Sequence, residues 1–176
     1  MKCALVITDG NSSGAMNFMK RKTIILSVSI LIVLICGITV LLSLQPFSLA
    51  STNERMLKKT ISSLSDDVEV IKINELIPFE WDYVYTFYPY MNIEEIEDII
   101  GFRSNKIYMA ESENIQQLLF VKDDKVVCNI FGSSSNLNFH FDLGEFENRY
   151  VKIRKTDQHS FSVEVRDEIK YFSIIK

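Results

Sequence analysis

FEWDYVYTFYPYMNIEEIEDIIG (residues 79–101) sets seven aromatic rings in its first twelve positions and then turns abruptly acidic and aliphatic. From Trp81 the period is two. Trp81, Tyr83, Tyr85 and Phe87 fall on one side, with Asp82, Val84, Thr86 and Tyr88 on the other, which is the alternation of a β-strand. Pro89 has no N–H to offer a ladder and stops the strand. Asn92 and Glu95 then have the spacing of a helix N-cap with an acidic residue at the third helical position. Ile93, Ile96, Ile99 and Ile100 make the apolar stripe, and Gly101 stands where a left-handed C-terminal cap belongs. The rings are read as core, each buried one contributing about 1.5–3 kcal/mol. Tyr88 and Tyr90 lie off the main face and are the rings expected to stay exposed, hence the first contact candidates.

Upstream, STNERMLKKTISSL (51–64) spaces Ser51 and Glu54 as a capping box and predicts a helix with Met56, Leu57, Thr60, Ile61 and Leu64 on one face. VEVIKI (68–73) reads as a short strand. Beyond Gly101 the chain reads almost entirely as strand. QQLLFVKDDKVVCNIF predicts a hairpin turning at Asp123-Asp124, GSSSN (132–136) a loop, and NLNFHFD and YVKIRK alternate. SFSVEV and IKYFSII face each other across Arg166-Asp167-Glu168. The fold class is therefore α+β, a small domain with a mainly antiparallel sheet and two helices packed on one face.

The chain ahead of this domain has a different character. Residues 24–44, IILSVSILIVLICGITVLLSL, carry no charge and no proline, and about 20 such residues span a hydrocarbon layer roughly 30 Å thick as a helix. Lys20, Arg21 and Lys22 precede the stretch, while no basic residue follows before Arg55, so the N-terminus is expected in the cytoplasm and the C-terminal domain outside. This makes 24–44 a single-pass signal anchor in the lipid bilayer, 1–23 a cytoplasmic tail, 45–50 a linker and 51–176 the extracytoplasmic domain. Met19-Lys20-Arg21-Lys22 would also serve as an ordinary start, which makes 1–18 a start-site artefact in that reading. The alternative to an anchor is secretion after cleavage near Ala50, against which stands an apolar run longer than the 7–15 residues usual for a signal peptide. Lipidation at Cys36 is disfavoured because Ile35 occupies a position that needs a small residue.

Charge and cysteine usage narrow the function classes. Of 19 basic and 23 acidic residues, Lys2, Lys20, Arg21, Lys22 and Asp9 precede the domain, leaving it 15 basic and 22 acidic, a net charge of −7. Such a charge repels nucleic acid, and none is expected as a partner. Cys128 is the domain's single cysteine, so the core, not disulfides, must hold the fold.

Candidate chemistry is sparse. Asn136, Asn138, His140 and Asp142 alternate with Leu137, Phe139 and Phe141, a polar row suited to a cation, a sugar or a partner. His140 and Asp142 alone are too few for zinc, and no metal or cofactor is expected. Ser133, Ser134 and Ser135 lack a nucleophile-elbow context, and no catalytic residue is assigned. Glu80 and Asp82 could pair as carboxylates, giving the alternative of a small cell-envelope hydrolase that uses Glu80 or Asp82 with His140. Arg149, Lys152, Arg154 and Lys155 form one basic cluster, suited to an anionic polymer or to guarding an edge strand.

The pattern Trp81-Asp82-x-x-Tyr85-x-Phe87-x-Pro89-Tyr90, followed by an acidic helix ending in Ile99-Ile100-Gly101, resembles an uncharacterised group of small exported or membrane-anchored domains of low-GC Gram-positive bacteria. The resemblance implies an exported α+β domain and carries over no catalytic residue. The expectation is a non-catalytic binding or sensing domain at the cell envelope, with an envelope protein or the cell wall as partner.

Overall fold

The computed structural model describes residues 31–32, 34–35 and 48–175. The expected tail, and the expected anchor apart from Leu31, Ile32, Leu34 and Ile35, lie outside the described residues; those four are helical and exposed. Among the described residues no helix is long and apolar enough to cross a membrane.

Residues 48–175 open with helix α1 (Leu49–Ser63), capped by Ser48, whose Oγ accepts from Ser51 N at 3.3 Å. The helix thus begins two residues ahead of the domain start expected from Ser51 and Glu54. Glu54 pairs instead with Lys58 one turn on, at 2.7 Å. Then come β1 (Val70–Lys72), a one-turn helix α2 (Ile73–Leu76), β2 (Tyr83–Phe87) and helix α3 (Ile93–Ile100). The hairpin β3 (Ile115–Lys122) and β4 (Lys125–Ser133) leads into a turn of helix α4 (Ser134–Leu137). The chain closes with β5 (Phe139–Asp142), β6 (Tyr150–Arg154), β7 (Ser160–Arg166) and β8 (Ile169–Ile175). Both hairpin turns have two residues in the left-handed region, Asp123 and Asp124 at φ 48° and 53°, and Asp167 and Glu168 at φ 50° and 64°. That is the backbone that matches the twist of the flanking strands.

The strands form two sheets where the sequence suggests one. Sheet 1 has the order β1-β7-β8-β5, and sheet 2 the order β4-β3-β2-β6. Sheet 2 is antiparallel throughout, whereas β5 runs parallel to β8 in sheet 1. Their facing sides share a core in which Phe139, Phe141, Phe161 and Phe172 of sheet 1 meet Val84, Leu118, Phe120, Ile130 and Ile153 of sheet 2. Phe141 and Phe172 stack at 4.6 Å between centroids, and Trp81 meets Phe120 edge-on at 5.9 Å. Leu57 and Ile61 of α1 enter this core, while Ile96 of α3 belongs to a second cluster with Tyr85, Phe87, Met91, Ile107, Leu119 and Val121. The two main helices therefore serve different clusters and do not share one face as expected.

The opening stretch divides accordingly. The strand starts at Tyr83, and Trp81 sits before it, in the inter-sheet core with Val84. Tyr83, Tyr85 and Phe87 point the other way, into the cluster under α3, with Tyr85 and Phe87 stacked at 5.9 Å. The period-two reading fails at Trp81 because Asp82 is not yet in the strand, and the rings of 79–87 fill both sides of sheet 2. Helix α3 follows the sequence closely. Asn92 Oδ1 accepts from Glu95 N at 2.8 Å, Glu95 Oε2 accepts from Asn92 N at 3.1 Å, and Gly101 takes φ 86°.

Three of the four sheet edges have a cover of their own, and among the described residues β1 is the one left open. On β4, a bulge between Phe120 and Val121 of its partner leaves Val127 unmatched, and its carbonyl accepts from buried Asn53 Nδ2 at 2.8 Å. On β5, the outward-facing Phe139 O and Phe141 N are both taken by one side chain, Gln116 of β3, at 2.7 and 3.0 Å. On β6, Glu147 bridges Tyr150 and Asp157 Oδ2 accepts from Arg154 N at 3.1 Å.

Candidate functional site

The polar row read from the sequence is broken by the backbone. Strand β5 begins only at Phe139; Asn136 lies in the α4 turn, and Asn138, at φ 61°, closes it with its N–H donating to Ser134 O at 2.8 Å. Serine and asparagine bond readily to nearby backbone, which favours such a turn over an extended strand. Of the four residues, only His140 and Asp142 share a face. That face is the outer side of sheet 1, where β-register places His140 beside Tyr171 and Asp142 beside Ser173.

A groove of about 460 Å³ forms where the α4 turn meets this face, and His140, Tyr171, Ser133, Ser134, Ser135, Glu113 and Asn114 line it. The His140 and Tyr171 rings lie 5.9 Å apart, the Arg166 guanidinium stands 5.5 Å from the Tyr171 ring centroid, and Arg166 is paired with Glu164. Burial holds the His140 imidazole below its ordinary pKa, with the nearby Asp142 charge acting in the opposite direction. The serine hydroxyls of Ser133 and Ser135 are 3.0 Å apart. Tyr171, Glu113 and Asn114 are absent from the sequence-based candidates. The alternation in IKYFSII, with Phe172 inward, is the signal that sets Tyr171 and Ser173 outward.

Tyr88 and Tyr90 are exposed as expected, at 47 % and 58 %. Tyr88 meets Phe146 edge-on at 5.6 Å, and its N–H donates to Arg149 O at 2.7 Å. Tyr90, at φ 66°, donates its N–H to Ala110 O at 2.8 Å, which brings exposed Tyr108 and Met109 alongside; Tyr108 in turn meets Phe131 of β4 at 5.4 Å. A rim of exposed aromatic side chains thus runs across one end of sheet 2.

The residues of the hydrolase alternative do not meet. Asp82 N donates to Val121 O, at the far end of β3 from Gln116, whose amide holds the backbone on either side of His140. Five residues of strand separate those points, roughly 17 Å. Asp82 lines a groove with Tyr83, Arg154, Lys155 and Thr156, and Glu80 is paired with Lys155 at 2.9 Å, which holds its carboxyl below the usual range. The basic cluster is likewise engaged. Arg149 reaches Glu95 at 3.4 Å, Arg154 reaches Asp157 at 3.4 Å, and Lys152 Nζ lies 4.0 Å from the Tyr83 ring centroid. Cys128 is buried, and burial pushes its thiol up, away from nucleophilic use. Among the described residues no group of three or more His, Cys, Asp or Glu side chains is placed to hold a metal ion.

No protein-family model, curated protein or solved structure matches this chain.

Proposed function

We propose that the chain is a membrane-anchored binding or sensing module, non-catalytic, whose domain stands outside the membrane and engages an envelope partner. The observation that carries this reading is the division of the aromatic stretch. Strand β2 commits Tyr85 and Phe87 to the core, then the next rings, Tyr88 and Tyr90, are turned out at a strand end beside Phe146, Tyr108 and Met109. Exposed rings clustered in this way keep apolar surface in water that a partner would gain by burying, and Tyr is a preferred contact residue. The uncharged 24–44 stretch, the N-terminal basic flank and the helical Leu31, Ile32, Leu34 and Ile35 support the placement. The resemblance to exported Gram-positive domains points the same way. The hydrolase alternative needs Glu80 or Asp82 beside His140, but Asp82 and His140 line separate grooves and Glu80 is paired with Lys155 of the Asp82 groove.

The test uses the full-length chain in its own membranes. Protease added to intact cells should remove the domain, and a partner crosslinked to the wild-type chain should be lost from the Tyr88→Ala/Tyr90→Ala variant. Protection of the domain until the membrane is broken would sink the placement. Crosslinking unchanged by the double substitution would sink the role of the aromatic rim.

A further inference from the structure

The groove over sheet 1 has a ligand preference written in its lining. Three serine hydroxyls, the Asn114 amide, the Tyr171 phenol and the His140 imidazole give it donors and acceptors on several sides. Formal charge is scarce. Glu113 is the one carboxylate in the lining, Asp142 Oδ1 is engaged by Gly144 N at 2.9 Å, and the nearby Arg166 is paired with Glu164. A cation would need more carboxylates, and a phosphate would need an uncommitted guanidinium or ammonium. The imidazole, half-buried and disfavoured as a cation, offers one donor and one acceptor to a neutral partner.

The walls are also held in place before any ligand arrives. Ser133 is paired in register with Ile115, and the next residue of β3, Gln116, grips Phe139 O and Phe141 N on either side of His140. One strand therefore fixes both sides of the groove. Beneath the serine turn β4 passes so close that a Cβ on Gly132 would stand 3.3 Å from Leu137 Cγ, which seats α4 against the sheet. Preorganisation of this kind lowers the cost of binding a small polar ligand, and the volume of about 460 Å³ lies within the range of small-molecule sites.

We infer that the groove bounded by His140, Tyr171 and the Ser133–Ser135 turn binds an uncharged, hydroxyl-rich ligand, the chemistry of a glycan. The Tyr171 ring supplies an apolar surface, and the serine, asparagine and imidazole groups exchange hydrogen bonds with sugar hydroxyls. This deepens the binding reading and rests on it, while using a surface separate from the Tyr88 and Tyr90 rim.

The full-length chain in detergent micelles is titrated by calorimetry with tetramers of N-acetylglucosamine, glucose and galactose, and in parallel with calcium chloride and inorganic phosphate. Saturable binding of at least one oligosaccharide is expected, weakened about tenfold or more by Tyr171→Ala and by His140→Ala, consistent with loss of one or two hydrogen-bonding contacts. Lys59→Ala, on the exposed side of α1, should leave it unchanged. Trp81 fluorescence identical to wild type verifies that each variant is folded. Absence of saturable binding by every oligosaccharide overturns the inference, as does sugar binding indifferent to Tyr171 and His140, or binding of calcium or phosphate alone. If the sugars fail while crosslinking through Tyr88 and Tyr90 persists, the glycan assignment falls and the binding reading stands.

Discussion

Sheet 2 is buried on both faces and sheet 1 on one. Strand β3 is inaccessible from Gln116 to Val121, with Leu118 and Phe120 in the inter-sheet core and Leu119 and Val121 under α3. Strand β7 instead alternates, with Phe161 inward and Ser162 and Glu164 in solvent, and among the described residues only the α4 turn borders the outer face it shares with β8 and β5. The difference separates the two jobs of the domain. Sheet 2 is the structural centre, where function has room only at strand ends, and that is where Tyr88 and Tyr90 emerge. Sheet 1 is half free, and its outer face carries His140 and Tyr171.

That contrast can be broken or sharpened by substitution. The largest effect is expected at Trp81, whose ring is 1 % exposed beside Phe120. Trp81→Ala should cost about 3–5 kcal/mol in denaturant unfolding, and a cost below about 1 kcal/mol would remove the inter-sheet core from the account. Next is the link between the sheets. Gln116→Leu leaves Phe139 O and Phe141 N without partners, and should cost about 2–4 kcal/mol at one to two for each buried group.

A smaller effect is expected on changing pH. Since the folded-state pKa of His140 is lowered, the unfolded chain takes up the proton first. Stability is therefore constant above the unfolded value of about 6.5 and falls as pH drops below it, levelling once the folded form is protonated too. Comparing wild type with His140→Gln between pH 8 and pH 5 should show the wild type losing ground only below about 6.5. A difference that grows as pH rises would reverse the sign and refute the assignment. Smallest is Tyr171→Ala on the open face, expected within about 0.5 kcal/mol of wild type. A loss comparable to that at Trp81 would mean that sheet 1 is covered.

Local signals read well from the sequence where a short stretch decides its own structure. The Asn92–Glu95 box, Gly101 and both hairpin turns are each set by a few residues, and each stands where the sequence puts it. Long-range partnership was the hidden part. Nothing local states that β5 lies parallel to β8, so the sequence by itself suggests one sheet in place of two. Period two also loses its meaning when both faces are buried: in YVYTF every position but Tyr83 and Thr86 is buried, and the pattern no longer points to one inside. The polar row failed for a different reason. Asn136 and Asn138 alternate with apolar residues as strand positions would, yet the turn chemistry of Ser134–Asn138 prevailed over the alternation. Gln116 is an amide in a buried run, and its partners Phe139 O and Phe141 N, 23 and 25 residues away, are not visible in local sequence.

The central claim is that residues 79–90 divide their rings among two cores and an exposed rim, and hydroxyl-radical footprinting of the full-length chain reads that division within one proteolytic segment. Tyr88 and Tyr90 should be oxidised rapidly, at 47 % and 58 % exposure, while Trp81 and Tyr85, at 1 % and 3 %, should be protected until the domain is unfolded. Oxidation of Trp81 and Tyr85 at the rate of Tyr90 in the native protein would contradict the account.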